Sequence, residues 1–561
     1  MAGPYRGRVV LGGGILCGIG LLGSAQALAA DLTLPPPASS SAAASTGSVA
    51  TTPSYGTNGQ AGPQTPGPGP GTLTILPAFA IGESYNDNVN LGPRGQALGA
   101  FITTLNPSIN ILDDSSRLKL NALYSPQELI YYGDISTQHL QQNLQSNGEL
   151  TLIPELFFLD ANATITQAFL NPTGPIGATT LTTNNNLQEV QAYNVSPVLK
   201  HRFGDYFSSE TRYTLGYVTT SGEQLPPLLS NEAKQVFTSG DYFGRFGWSA
   251  TADVLRDKDM SLANSPLSNT TFKDEYVRFD PKYAIYRGLA LTAGIGWEHV
   301  VGPTVTIQPY EVIWDVGFQF TPNPYTKLSA TYGERYGGSD IEIDGNYNPS
   351  PQTNFTISYT KQVQSSQAQF AAAQNLYGFN QSGLLVNLQT GQPVPVGIAN
   401  GQLINLQSGL PLNFGSSFGG GAQGLSSYPF ISKIFQTGVT LTRGRSTYAA
   451  DIFYDTYKVQ APPSNQRTYG ATLSYTRQLW PALSGNIMGT YSRTSVSGNP
   501  GVFGGSLGGN TKLYAATAGL SYNLSETATA QFTLTHSTTE STTSTGTIDD
   551  DVMTVMYQKR F

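Results

Sequence analysis

The sequence predicts an all-β chain folded as a transmembrane antiparallel β-barrel of about 22 strands, within roughly 18 to 24, with short periplasmic turns and long extracellular loops. Three observations predict it. The composition is poor in charge yet rich in glycine and aromatics, the apolar period is two from Leu73 onward, and the connections alternate between tight and long.

Of 561 residues only 12% are charged and 39% hydrophobic, while Gly (62), Tyr (31) and Phe (25) are abundant. Soluble domains carry about 25% charged and about 45–50% apolar residues. A chain low in both classes is polar without being charged. That suits a barrel with a watery lumen, a lipid face of modest area and glycine-tolerant strands. An aromatic content of 11% together with sustained strand patterning argues against a disordered chain.

Residues 1–29 read as a secretory signal peptide. Arg6 and Arg8 form a basic start, Val9 to Leu22 a short apolar run, and Ala27-Leu28-Ala29 a small-residue cleavage site before Ala30. The run is too short and glycine-rich for a membrane-spanning helix. Cys17, the only cysteine, lies within it, and Gly14-Ile15-Leu16 makes a poor lipobox, so lipidation is not expected. The mature chain then has no disulfide. Losing Arg6 and Arg8 takes the formal charge from −7 to −9, which leaves no basic footprint for nucleic acid. Residues 30–72 are rich in Pro, Gly and Ser, as in Thr65-Pro66-Gly67-Pro68-Gly69-Pro70, and read as a disordered periplasmic linker.

The barrel is expected over 73–561. Phe157, Leu159, Ala161, Ala163 and Ile165 alternate with Phe158, Asp160, Asn162, Thr164 and Thr166. Val312, Trp314, Val316, Phe318 and Phe320 form a second apolar face, and Tyr448, Ala450, Ile452 and Tyr454 a third. Alternation over about ten residues is the spanning-strand signal, because successive side chains face lipid and lumen in turn. The least regular stretches are 231–243 and 340–349.

Tight turns are expected at Asp113 to Ser116, Ile153 to Glu155, Gly204-Asp205, Phe243 to Arg245 and Arg287-Gly288. Five more follow at Pro322 to Pro324, Ser350 to Thr353, Gly444-Arg445, Trp480-Pro481 and Ser525-Glu526. The intervening connections are longer and polar, including 86–98, 169–186, 220–230, 257–270, 365–429, 495–509 and 540–548. With the first strand rising at Leu73, every tight turn falls in the periplasm, and so does Phe561.

Aromatics near the tight turns (Phe203 and Tyr206, Phe320 and Tyr325, Tyr347 and Phe355, Trp480) read as an interfacial girdle. Met553, Val555, Tyr557 and Phe561 share one face of the last strand. Tyr557 and the terminal Phe561 resemble the signal read by outer-membrane barrel assembly machinery, with Lys559 departing from the usual apolar residue.

Lumen-facing charge is the credible functional feature. Arg117 and Lys119, Glu210 and Arg212, then Arg278, Asp280 and Lys282, and finally Asp451 and Asp455, each alternate with apolar or aromatic residues. Placed against lipid, such charges would cost about 2–4 kcal/mol each near the midplane, so they are expected inside. They could set selectivity, line a hydrated glycan path, or merely staple the wall. Both signs occur, so no strong ion preference follows. The segment 365–429 holds a doubled motif, Leu385-Val386-Asn387-Leu388-Gln389-Thr390-Gly391 and Leu403-Ile404-Asn405-Leu406-Gln407-Ser408-Gly409. The repeat suggests a small hairpin, and the loop is expected to remain extracellular or fold inward as a constriction.

His139, His201, His299 and His536 lie on separate strands with no paired spacing, so structural or lumen-lining roles are expected for them. No nucleophile elbow, Walker or dinucleotide fingerprint is present, so neither catalysis nor a metal or cofactor is expected. A barrel enzyme would show itself by a His bonded to Ser or Asp at the outer rim, a level that His139 and His299 could reach.

Tyr347-Asn348-Pro349-Ser350-Pro351-Gln352-Thr353-Asn354-Phe355-Thr356-Ile357-Ser358-Tyr359, the early Tyr85-Asn86-Asp87-Asn88 and the Leu385 to Gly391 phrase together resemble the PEP-CTERM system-associated outer-membrane β-barrel family, itself related to porin-like barrels. The similarity covers most of 73–561. It implies a channel associated with exopolysaccharide export, whose partners are outer-membrane lipid, the barrel assembly machinery and components of polysaccharide secretion. The alternatives are a general diffusion porin for small solutes and a plugged structural or adhesion barrel.

Overall fold

The computed structural model describes residues 73–222, 225–260, 271–302, 311–373, 428–460, 463–498, 509–542 and 546–561, together with the short strands at 377–379, 385–387, 396–399 and 402–405. The expected signal peptide and linker lie outside these residues.

The chain opens with β1 (Leu73–Asn86), β2 (Ala100–Asp114), β3 (Leu118–Tyr124), β4 (Gln127–Gly133), β5 (Thr137–Gln141) and β6 (Leu144–Ile153). Next come β7 (Phe157–Phe169), β8 (Leu187–Phe203), β9 (Phe207–Thr220), β10 (Leu228–Ser239), β11 (Phe246–Asp259) and β12 (Thr271–Tyr286). The wall continues through β13 (Leu289–Val301), β14 (Glu311–Asn323), β15 (Thr326–Arg335), β16 (Gly338–Ser350) and β17 (Thr353–Gln364). Helix α1 (Ser366–Ala373) precedes four short strands, β18 (Tyr377–Phe379), β19 (Leu385–Asn387), β20 (Val396–Ala399) and β21 (Gln402–Asn405). The last part is β22 (Phe430–Arg443), β23 (Ser446–Val459), β24 (Ser464–Trp480), β25 (Leu483–Gly498), β26 (Gly509–Asn523), β27 (Ala528–Ser541) and β28 (Gly546–Arg560).

The main sheet contains 24 of these segments. Both β3 and β4 pair with β2, while β6 and β5 pair with β3 and β4 in turn, so each couple is one interrupted wall strand. The wall is therefore 22-stranded and antiparallel throughout. It closes where β28 meets β1, from Ala78 opposite Arg560 to Asn86 opposite Val552. Closure leaves no edge strand, which is what lipid demands of a β-structure. The irregular stretches 231–243 and 340–349 are mainly β10 and β16.

All ten expected tight turns lie on the rim that also holds both ends of the wall. Glycine makes several of them possible: Gly204 and Gly444 each sit at φ +58°, a region costly for residues with a Cβ. The opposite rim is not uniformly long-looped, since Tyr336-Gly337 turns β15 into β16 in two residues. The doubled motif also differs from expectation. The Leu385 and Leu403 repeats do not pair with one another. Each instead closes on the segment just before it, β19 on β18 and β21 on β20. Closing a short local loop costs less chain entropy than joining two distant repeats.

Outward side chains form an apolar band, with Val312 67% and Ile487 60% exposed. Interfacial rings edge it on both sides. Near the turns Phe203 stacks on Phe207 at 4.5 Å, and Tyr347 on Phe355 at 6.1 Å. Near the other rim an aromatic row crosses β23 to β26 through Tyr454, Tyr469, Tyr491 and Tyr514, with centroid spacings of 6.4, 6.5 and 5.1 Å. Met553, Val555, Tyr557 and Phe561 are all exposed, as their shared face requires. A closed barrel wearing such a belt is an outer-membrane protein.

Candidate functional site: the lumen wall and its outer mouth

The charged side chains that face inward are concentrated on β7 to β16. Three arginines each reach over an intervening strand to an acid two strands away. Arg212 on β9 passes over β8 to Asp160 on β7 at 2.7 Å, and its Nε also lies 3.6 Å from Glu210. Arg278 on β12 passes over β13 to Asp315 on β14, and Asp280 accepts from its Nε. Arg335 on β15 passes over β14 to Glu298 on β13 at 2.7 Å, between the rings of Tyr276 and Tyr336. Burial pushes the Tyr336 phenol, in its turn, well above its ordinary pKa. The crossing by Arg278 depends on glycine, because a Cβ at Gly294 would collide with Arg278, Asp315 and Asp280 together.

The remaining sequence candidates fall into three groups. Lys119 bonds Asp114 at 3.3 Å near the periplasmic rim, and Lys282 donates to Gln319. Asp451 and Asp455 face inward on β23, far from the arginine bridges, and Asp455 is fully buried. Arg117 is not on a strand: it occupies the exposed turn between β2 and β3, where its carbonyl accepts from the Thr151 amide at 2.7 Å. The structure thus brings Glu210 together with Arg212, and Arg278 with Asp280, and keeps the others apart.

Acids that sequence reading passed over dominate the same wall. Glu232, Asp253, Asp257, Asp274, Asp340 and Glu342 all hold inward register positions on β10, β11, β12 and β16. Lys234 bonds Asp253 at 3.5 Å. The strand alternation that placed Arg278 inside would have placed these as well.

The opposite part of the wall, β24 to β2, is nearly free of charge and lined by hydroxyl and amide groups. Ser84 pairs with Thr554 at 2.9 Å, Thr468 with Thr494 at 3.2 Å and Thr517 with Thr535 at 3.3 Å. Asn106 donates to Ser125 at 3.1 Å.

Inward side chains are buried from the outer rim to about mid-strand and become partly exposed toward the turns, as β1, β8, β23 and β24 each show. The lumen is therefore a funnel in accessibility, more open on the periplasmic side and occluded outside. Segment 170–186 folds over the mouth, where Thr539 and Ser541 donate to the carbonyls of Ile176 and Thr173, each at 2.8 Å. The Thr183 amide bonds the Val89 carbonyl at 2.7 Å and so joins this segment to 87–99. Helix α1 starts from β17 and reaches toward β10, where Gln367 donates to the Pro226 carbonyl at 3.0 Å. Its Ala368 and Phe370 pack with Leu170, Val190, Ala192, Val218 and Leu228. A second apolar cluster gathers Val89, Ala100, Ile102, Leu129 and Tyr131, and two others lie around Phe272 and Phe430. Sequence reading expected a polar lumen and missed this collar. Its signal is an inversion of polarity at the outer strand ends: Glu189 and Gln191 face out while Val190 and Ala192 face in.

The four histidines do not line the lumen as a set. His139 faces inward against Tyr131 at 5.9 Å. His201 packs outside on Phe203 at 4.4 Å, and His299 outside along Trp297 at 6.1 Å. His536 also faces out, 2.7 Å from Asp551.

No family model matches the chain, and no curated protein does. Among solved structures it is similar to the siderophore receptor PirA from Acinetobacter baumannii, at 8% identity over 87% of this chain and 81% of that one, with a TM-score of 0.48. A variant of the ferric enterobactin receptor PfeA from Pseudomonas aeruginosa matches at 10% identity over 86% and 81%, with a TM-score of 0.45. The FrpB iron transporter from Neisseria meningitidis matches at 8% identity over 86% and 82%, with a TM-score of 0.39. Likenesses this weak carry nothing about cargo or mechanism.

Proposed function

We propose that this barrel is a gated, hydrated channel that passes a neutral, polyhydroxylated chain, in keeping with the exopolysaccharide export that its family resemblance implies. The observation that carries the reading is the two-sided lumen. A wall of threonine, serine and asparagine carries uncharged hydroxyl and amide groups of the kind that sugar hydroxyls bond, while the charged wall keeps its arginines tied to acids. Hydrogen bonds of this kind exchange with water at small net cost, so a glycan can slide rather than stick. The funnel opens toward the periplasm, and the gate formed by 87–99, 170–186 and α1 stands at the outer mouth.

The test is conductance in planar bilayers of the full chain and of a chain lacking 365–429, with neutral dextran oligomers added on either side. Open steps that dextran blocks from the periplasmic side support the channel. Silence from both chains overturns it. A plugged structural barrel is the second reading, favoured by the buried Phe370 and the collar it completes. It requires that neither dextran nor deletion of the loop change the current.

A further inference from the structure

The outward face of the barrel carries a hydrogen-bonded Thr–His–Asp chain at the upper edge of its apolar belt. His536 and Thr538 are two residues apart on β27, so both point outward. Asp551 on β28 is the direct cross-strand partner of His536, and Asp549 that of Thr538. Nδ1 of His536 lies 2.7 Å from Asp551 Oδ1, and its Nε2 lies 3.3 Å from Thr538 Oγ1. Nucleophile, base and orienting acid recur on unrelated folds in this connectivity, which is recognised by geometry rather than by sequence order.

Its height on the wall is read from successive cross-strand pairs. One step toward the membrane lie Leu534 and Met553, each 45% exposed. Tyr514 flanks Thr538 on β26 and ends the outer aromatic row. One step outward, Lys512 bonds Glu540 at 2.9 Å. The hydroxyl therefore stands where the hydrocarbon belt gives way to charge, the level at which lipid acyl chains join their headgroups.

We propose that Thr538 and His536, positioned by Asp551, form an esterase site that takes the carboxylic esters of outer-leaflet lipid. With the Nδ1 proton donated to Asp551, Nε2 is the acceptor. Thr538 has one proton and two acceptors in reach, Nε2 and, at 3.0 Å, Asp549 Oδ1. Rotation about its Cβ–O bond directs that proton to either. Oγ1 adds to the ester carbonyl as Nε2 takes the proton, the C–O bond to the lipid alcohol breaks, and Nε2 returns the proton to that alcohol. Water then cleaves the acyl-threonine by the same relay and releases the fatty acid. The Asp551 amide is taken by Asp87 Oδ1 at 2.8 Å and the neighbouring β27 and β28 amides by their ladder, so the oxyanion calls for a side-chain donor. That donor would be Arg94, whose exposed guanidinium bonds Asp549 through Nε at 2.5 Å and so stands beside the second acceptor of Thr538; the Asp549 carboxylate raises the pKa of that cation further.

The experiment uses the full chain folded in detergent micelles. The substrates are a 4-nitrophenyl acyl ester and phosphatidylethanolamine/phosphatidylglycerol vesicles assayed for free fatty acid. An alkylsulfonyl fluoride serves as covalent probe. Heat-modifiable gel mobility checks folding of every variant. Thr538→Ala and His536→Asn should each lower turnover by about 100-fold or more, the scale of a lost nucleophile or base. Thr538→Ser, with a less hindered hydroxyl, should equal or exceed the natural chain, and the probe should label position 538. Asp551→Asn should slow turnover and shift its pH profile, which a purely structural role would not do. The proposal is overturned if the natural chain and Thr538→Ser release no more fatty acid than heat-unfolded protein, or if Thr538→Ala retains full activity. If the alanine or asparagine variant fails to fold, the serine variant and the covalent label decide alone.

Discussion

Arg278 and Asp315 meet across a strand that has no side chains to separate them. They stand on β12 and β14, and the strand between carries glycine at 294 and 296, directly opposite Asp315 and Arg278 in the two ladders. The ion pair and the glycines are one feature. Gly294→Val should break the bridge and strain the wall, lowering stability by about 1–3 kcal/mol, typical of an overpacked site. Adding Arg278→Ala should recover part of that loss. Urea titration of the gel-mobility shift reads both outcomes, and additivity of the two variants would show that the glycine serves something else.

The inward acids have consequences for ions. Arg212, Arg278 and Arg335 are each bonded to an acid, while Asp257, Asp340 and Glu342 stand on the same wall. Sequence reading drew no strong ion preference because both signs occur. The arrangement predicts a lumen that favours cations, seen as a shifted reversal potential in a KCl gradient. Asp340→Asn with Glu342→Gln should reduce the shift, and Arg212→Ala should increase it.

Phe370 keys α1 into the collar. Phe370→Ala should cost about 3–5 kcal/mol locally, the range for truncating a buried phenylalanine. Because the helix follows β17 but takes no part in the wall's ladder, that loss should appear as more frequent channel opening without a change in barrel unfolding.

Val316 lies on the apolar outer face of β14, 54% exposed to lipid. Val316→Arg should destabilise the inserted barrel by about 2–4 kcal/mol, and Gly317→Ala, one residue on, by steric conflict with the β15 backbone. Refolding yields into vesicles at graded urea separate the two effects.

Phe561 projects 71% exposed beyond the last strand, and its amide bonds the Pro77 carbonyl at 3.0 Å. Deleting it removes one hydrogen bond from the finished barrel. Folding in detergent should therefore barely change, while assembly in cells should drop several-fold if Tyr557 and Phe561 act as the assembly signal.

Much of the wall was legible because a period of two leaves no choice of face: once Val312 and Trp314 are outside, Asp315 must be inside. The tight turns were legible for the same reason, each one reversing a rising and a falling strand. The mouth was not. Its contacts join Thr539 to Ile176 and Phe370 to Val190, residues far apart in sequence whose pairing no local pattern encodes. The His536 chain was hidden differently. No spacing within its own strand announces the acid, because Asp551 arrives from the next strand by register alone.

The seam between β1 and β28 makes this barrel a clock as well as a wall. The strand that must close the ring is the last of the wall to be made, and the strand it must find is the first. Until both are delivered, Ala78 to Asn86 offers a bare row of amides and carbonyls with the whole intervening chain hanging from it. A ribosome that stops early, or a protease that trims β28, therefore leaves not a slightly shorter barrel but a ribbon with two sticky margins. Quality control of this wall reduces to one question, asked at the nine residues from Val552 to Arg560: has the last strand met the first?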